Sequence, residues 1–127
     1  MVKRNDNLFS DFEMALYEAA IRSNPNNEEA LRALGYLYTK KRNHSKALTI
    51  DRKLCFLRPD DAVVHYNLAC SLSNLGKIED SLEALEMAIL LGYSDLRHME
   101  KDPDLDNISN EPRYQEIVEK IKGKSKA

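Results

Sequence analysis

Apolar residues recur along the chain at three- and four-residue intervals, in blocks separated by short polar turns. Leu31, Leu34, Leu37 and Tyr38 form one stripe, and Ala47, Leu48, Ile50, Leu54 and Leu57 form the next. That spacing is the period of an amphipathic helix. No alternating run of β-branched residues marks a strand. Turn chemistry brackets the blocks. Asn26 or Asn27 can cap a helix whose first turn holds Glu28 and Glu29, and Asp60 or Asp61 can cap a later one, because side-chain acceptors and negative charge suit the free N–H groups of a helix start. Gly76 can take the left-handed conformation that ends a helix, with Asn43 near the corresponding place upstream. The pattern predicts helices near residues 7–23, 28–41, 45–57, 62–75, 78–91, 95–101 and 112–122.

The blocks repeat. Asn24-Pro25-Asn26 recurs 34 residues later as Arg58-Pro59-Asp60, and Leu31-x-x-Leu34-Gly35-x-x-Tyr38 aligns at the same offset with His65-x-x-Leu68-Ala69-x-x-Leu72. Ala47 aligns with Ser81 in the same way. Each repeat is therefore two helices and a turn. Small residues at Gly35, Ala47, Ala69, Ser81 and Ala88 allow neighbouring helices to approach closely, and the large apolar residues between them fill the grooves.

These residues resemble tetratricopeptide repeats, most clearly in Leu-x-x-Leu-Gly-x-x-Tyr, Ala47 and Pro59, and in the run from Tyr66-Asn67-Leu68-Ala69-Cys70 to Ala88. Leu31 and His65 stand where the family carries Trp, Asp51 where an aromatic is common, Leu54 where Ala is, and Tyr93 where Pro is. The stretch from Leu91 through Asp102-Pro103-Asp104-Leu105 to Pro112-Arg113-Tyr114 resembles the atypical half-repeat that closes many bacterial arrays. The resemblance implies an all-α chain, a right-handed superhelical stack of about seven helices in antiparallel pairs forming an α-solenoid. Residues 1–127 then form one domain: a leading helix at 7–27, repeats at 28–61 and 62–95, a half-repeat with its capping helix at 96–122, and a tail at 123–127. The stripe Tyr114, Ile117, Val118 and Ile121 gives the last helix the task of covering the end of the stack.

Composition narrows the function. The 127 residues are 43% apolar and 31% charged with a formal charge of −2, which suits one folded domain and leaves no broad basic field for nucleic acid or an anionic membrane. Lys120, Lys122, Lys124 and Lys126 read as a solubilising end. The charged start runs into no apolar core of a signal peptide, so a cytoplasmic location is expected. Cys55 and Cys70 lack CxxC spacing and read as two reduced, partly buried thiols.

Candidate chemistry is sparse. Asp102-x-Asp104-x-Asp106 imitates the opening of a calcium loop, but Asn107 takes the place of the required glycine and Arg113 that of the bidentate Glu. The carboxylates are expected to serve turns and caps around Pro103. His44, His65 and His98 are too far apart in sequence for one local metal motif, and His65 is expected to pack on the preceding repeat. Glu79, Asp80, Glu83 and Glu86 read as the solvated face of one helix. No nucleophile elbow or phosphate loop occurs, so neither an enzyme, a cofactor nor a metal is expected.

By resemblance, the first helix of each pair lines a concave groove. That places Arg32, Tyr36, Thr39 and Lys40 beside Tyr66, Asn67, Cys70 and Asn74, with Arg97 and Lys101 following from the half-repeat. Aromatic faces and fixed donors suit an extended peptide or short helix of another protein, and Tyr36 and Tyr66 could equally serve to pack helices. The positions of Arg32, Tyr36, Asn67, Arg97 and Lys101 also resemble the carboxylate clamp of chaperone cofactors, which grips an acidic C-terminus; Tyr36 replaces one asparagine. The expected function is a non-enzymatic scaffold, adaptor or co-chaperone-like module with Arg32, Tyr36, Tyr66, Asn67, Cys70, Arg97 and Lys101 in its peptide site. The alternatives are a self-assembly module forming a weak homodimer through exposed repeat ends, or an accessory domain of an enzyme complex.

Overall fold

The computed structural model describes the backbone of residues 2–126 and the side chains of residues 10–123. Seven α-helices follow one another: α1 (Val2–Ser23), α2 (Glu28–Lys40), α3 (His44–Leu57), α4 (Ala62–Asn74), α5 (Ile78–Leu90), α6 (Leu96–Lys101) and α7 (Pro112–Lys126). A 3-10 turn at Pro103–Leu105 stands between α6 and α7. The predicted limits of α2 to α6 hold to within one residue. At the ends the helices run further, from Val2 rather than residue 7 and to Lys126 rather than 122. The apolar stripe stops at Ile121, but lysine is a good helix former and propagates the last turns beyond it. The side chains of Lys124 and Lys126 lie outside the described residues.

The caps explain the boundaries. Asn27 accepts from the Ala30 N–H, Asn43 from Lys46, Asp61 from Val63 and Val64, and Asp95 from His98. Asn43 thus starts α3 and does not occupy the left-handed position expected of it. That position falls to Arg42, at φ 61°, which is 34 residues before Gly76 at φ 74°. Both turns close alike, Asn43 N–H on the Tyr38 carbonyl and Lys77 N–H on that of Leu72. The turn geometry is repeated, and Arg42 adopts it without the freedom of a glycine.

Consecutive helices joined by three- or four-residue turns pack side by side, α1 on α2, α2 on α3, α3 on α4 and α4 on α5, which makes an α-solenoid. The small residues sit at the close approaches: Ala47, Ala69, Ser81 and Ala88 have no exposed surface and Gly35 is buried. The Ser81 hydroxyl donates to the Ala69 carbonyl oxygen at 2.7 Å, tying α5 to α4. Leu31, Leu54 and Val64 fill one apolar cluster, and Leu34, Tyr38 and Ala47 another. The largest lies toward the C-terminus, where Tyr114, Ile117, Val118 and Ile121 of α7 join Leu82, Leu85 and Ile89 of α5. Burying each such large side chain contributes about 1.5–3 kcal/mol, so α7 is a packed lid on the end of the stack. Arg113 fixes it further, its guanidinium meeting Glu86 and Glu79. Those two carboxylates therefore hold α7 instead of only facing water, while Asp80 and Glu83 are exposed as expected. The Arg113 pairing draws the Glu86 carboxyl below its ordinary range.

Candidate functional site

A cavity of about 410 Å³ opens between α2, α4 and the α6 region. Arg32, Tyr36 and Thr39 are spaced by four and three residues, so one face of α2 presents all three to it. Tyr66, Asn67 and Cys70 line it from α4, with Asp51 and Leu54 contributed by α3. His98, Asp102 and Asp104 complete the wall beyond α4.

Five of the seven residues singled out from the sequence thus come together here: Arg32, Tyr36, Tyr66, Asn67 and Cys70. They are not equally available. Tyr36 is 66% exposed and Asn67 is exposed, whereas Tyr66 is only 3% exposed. The Tyr66 ring stacks on Tyr93 with centroids 4.3 Å apart, and its hydroxyl donates to Asp102 at 2.6 Å. Burial beside that carboxylate pushes the Tyr66 phenol far up, so it stays a neutral donor. Tyr66 is a wall, and Tyr36 is the aromatic face a ligand can cover. Lys40 stands beside it, its ammonium 6.0 Å from the ring centroid.

Arg97 and Lys101 are exposed and do not line the cavity. The reason lies in the rotation of α6. Met99 points into the core at 1% exposure, and His98 and Asp102, each one residue beyond a predicted cation, turn toward the groove. One residue is about 100° of helix, so the expected basic rim is replaced by a carboxylate and an imidazole. His98 Nε2 lies 3.4 Å from Asp102 Oδ2.

Asp102 and Asp104 do serve the turn around Pro103, the Asp102 carboxylate accepting from the Asp104 N–H at 3.0 Å. They also face the groove. Asn74 donates to Asp104 at 3.1 Å, and the Cys70 thiol lies 3.7 Å from Asp102. Desolvation and these carboxylates hold the Cys70 thiol well above its ordinary pKa, and burial lifts Cys55 to about 11. Neither thiol is activated as a nucleophile. His65 faces the preceding repeat, its Nε2 2.8 Å from the Pro59 carbonyl oxygen and its Nδ1 3.9 Å from the Cys55 sulfur.

Asp51 escaped the sequence reading as a buried charge. It is 6% exposed and accepts from the buried Ser71 hydroxyl. Burial pushes its carboxyl up to about 6, offset in part by the Ser71 bond. Its sequence signal was the acid standing inside an apolar helical stripe, 34 residues before Leu85. Arg32 is already engaged, 3.1 Å from Asp61, while Glu28 joins Arg58 at 2.7 Å.

Comparison with known proteins agrees with this architecture. Residues 16–49 match the family described as Tetratricopeptide repeat. The matched unit starts in α1 and ends in α3, half a repeat before the frame counted from Glu28, and has the same length. A chloroplastic protein of Arabidopsis thaliana is 27% identical over 90 residues, covering 68% of this chain; the chain spans 27% of that relative's length. The solved structure titled "MamA MSR-1 C2" superposes with a TM-score of 0.66 at 18% identity, over 91% of this chain and 69% of that one. This last likeness is one of fold. Among the described residues no helix is long and apolar enough to cross a membrane.

Proposed function

The chain is a tetratricopeptide-repeat protein, and we propose that the groove between α2 and α4 binds a peptide segment of another protein, which makes the molecule a non-enzymatic scaffold or adaptor working in the cytoplasm. The fold is generally one for protein interaction. The observation that carries the finer reading is the exposed Tyr36 ring on an open cavity whose neighbouring positions, Thr39 and Asn67, offer uncharged hydrogen-bonding groups. A flat aromatic face supplies contact area at small entropic cost, and fixed polar groups read the backbone of an extended segment. The two thiols are neutral and no activated nucleophile faces the cavity, which supports binding over catalysis.

Selection of displayed random peptides about twelve residues long tests this reading. Peptides retained by the protein should bind at one site and lose affinity on Tyr36→Ala or Asn67→Ala, both exposed positions whose replacement should leave the fold intact. Retained peptides indifferent to both substitutions refute groove binding.

Self-assembly is the second reading, supported by Phe12 and Leu16 on α1, which are 63% and 55% exposed one turn apart. A patch of that kind can dock a second copy. Light scattering over a concentration range decides it, and a monomer throughout removes it.

A further inference from the structure

We infer that the groove selects segments carrying a basic side chain, an arginine or lysine seated against Asp104 and Asp102, and rejects acidic termini. The inference rests on the groove reading above and deepens it. Three carboxylates line the cavity, Asp51, Asp102 and Asp104, against the single guanidinium of Arg32, and that guanidinium is held by Asp61. The cations that would grip a terminal carboxylate, Arg97 and Lys101, are turned away to solvent. An acidic segment entering here would lose water and meet like charge; a basic one meets its complement in a confined, partly desolvated space where charge pairing is stronger than in bulk water.

Hydrogen bonds sharpen the choice. Asp102 is occupied, accepting from Tyr66, from the Asp104 N–H and facing His98. Asp104 accepts from Asn74 through Oδ1, and its half-buried carboxylate keeps acceptor capacity for an incoming N–H donor. The same network fixes both carboxylates before a ligand arrives, so ordering them costs little on binding. The exposed ring of Tyr36 across the cavity adds a surface on which the apolar stem of the basic side chain, or the peptide around it, can lie.

The test uses the peptides retained in the selection. Those that depend on Tyr36 should share an arginine or lysine. Changing that residue to glutamine should weaken binding to the unmodified protein by about tenfold, and have little effect on the Asp104→Asn variant, which keeps an oxygen acceptor for Asn74. Raising the salt concentration should weaken the unmodified pair more than the variant pair. Thermal unfolding of Asp104→Asn guards against a folding defect, and a neutral Tyr36-dependent peptide binding it as tightly as the unmodified protein serves as the second control. Tyr36-dependent peptides without a basic residue, or ones whose basic residue matters equally in both proteins, overturn the inference while leaving groove binding in place. Peptides indifferent to Tyr36 remove the groove reading itself.

Discussion

Asp51→Asn should stabilise the protein at neutral pH. The carboxyl lies in the floor between α2 and α4, almost wholly removed from water, with the Ser71 hydroxyl as its hydrogen-bond donor. Burial raises its folded-state pKa from 3.8 to about 6. Each tenfold change in proton affinity corresponds to about 1.4 kcal/mol, so keeping this group ionised above pH 6 costs about 3 kcal/mol at most. Because Asp51 borders the open cavity, water can relieve part of that cost, and about 1–3 kcal/mol is the expected gain. The sign follows from the raised pKa. The Asp51 contribution is fully favourable below pH 3.8, where both folded and unfolded forms are protonated, and is lost as pH rises toward 6. Asparagine keeps the acceptor for Ser71 without the charge. Urea unfolding of both proteins at several pH values should show nearly equal stability at pH 3.5 and a gap in favour of the variant that opens between about pH 4 and 6, then stays constant. Carboxylates with lowered pKa, such as Glu86, titrate alike in both proteins and cancel in the difference. A variant less stable than the parent at pH 7.5, or a gap that does not depend on pH, refutes the assignment of a destabilising buried charge.

Two further substitutions probe the repeat geometry. Ala69→Leu forces a large side chain into a position with no exposed surface, where the α5 hydroxyl of Ser81 reaches the Ala69 carbonyl; it should cost about 1–3 kcal/mol in chemical denaturation, and an unchanged midpoint would place Ala69 away from the contact. Arg42→Gly removes a side chain from left-handed backbone at φ 61° and should raise stability by about 0.5–1 kcal/mol after the entropy of glycine is charged against it, whereas a lower melting temperature would show that Arg42 makes a contact worth more than its strain.

The helical stack was legible because its signals reinforce each other. Asn27, Asp61 and Pro59 mark the turns, and the 34-residue spacing makes each mark count twice. The small residues read as close approaches, from Gly35 to Ala88, are all buried at helix contacts. Arg42 was hidden because left-handed backbone is normally announced by glycine or asparagine, and the neighbouring Asn43 offered a plausible substitute while its side chain was spent capping α3. Asp51 was visible as an oddity, but nothing local in sequence names its partner. Ser71 lies 20 residues away and reaches it only through the packing of α3 on α4.

The walls of the groove divide along the same line. α2 and α4 are long regular helices inside the repeat, so counting from Gly35 and Ala69 is enough to orient Arg32, Tyr36, Tyr66, Asn67 and Cys70. α6 has six residues and ends in the Pro103 turn, so its rotation is set by burying one side chain, Met99, and by the hydrogen bond from Tyr66 to Asp102 across 36 residues. Continuing the repeat count into it misplaces the cations by one position, and with them the sign of the rim. A short helix has too few apolar residues to specify its own face. There the charge of the groove follows from tertiary contacts, and the proposed preference for a basic ligand follows from that charge.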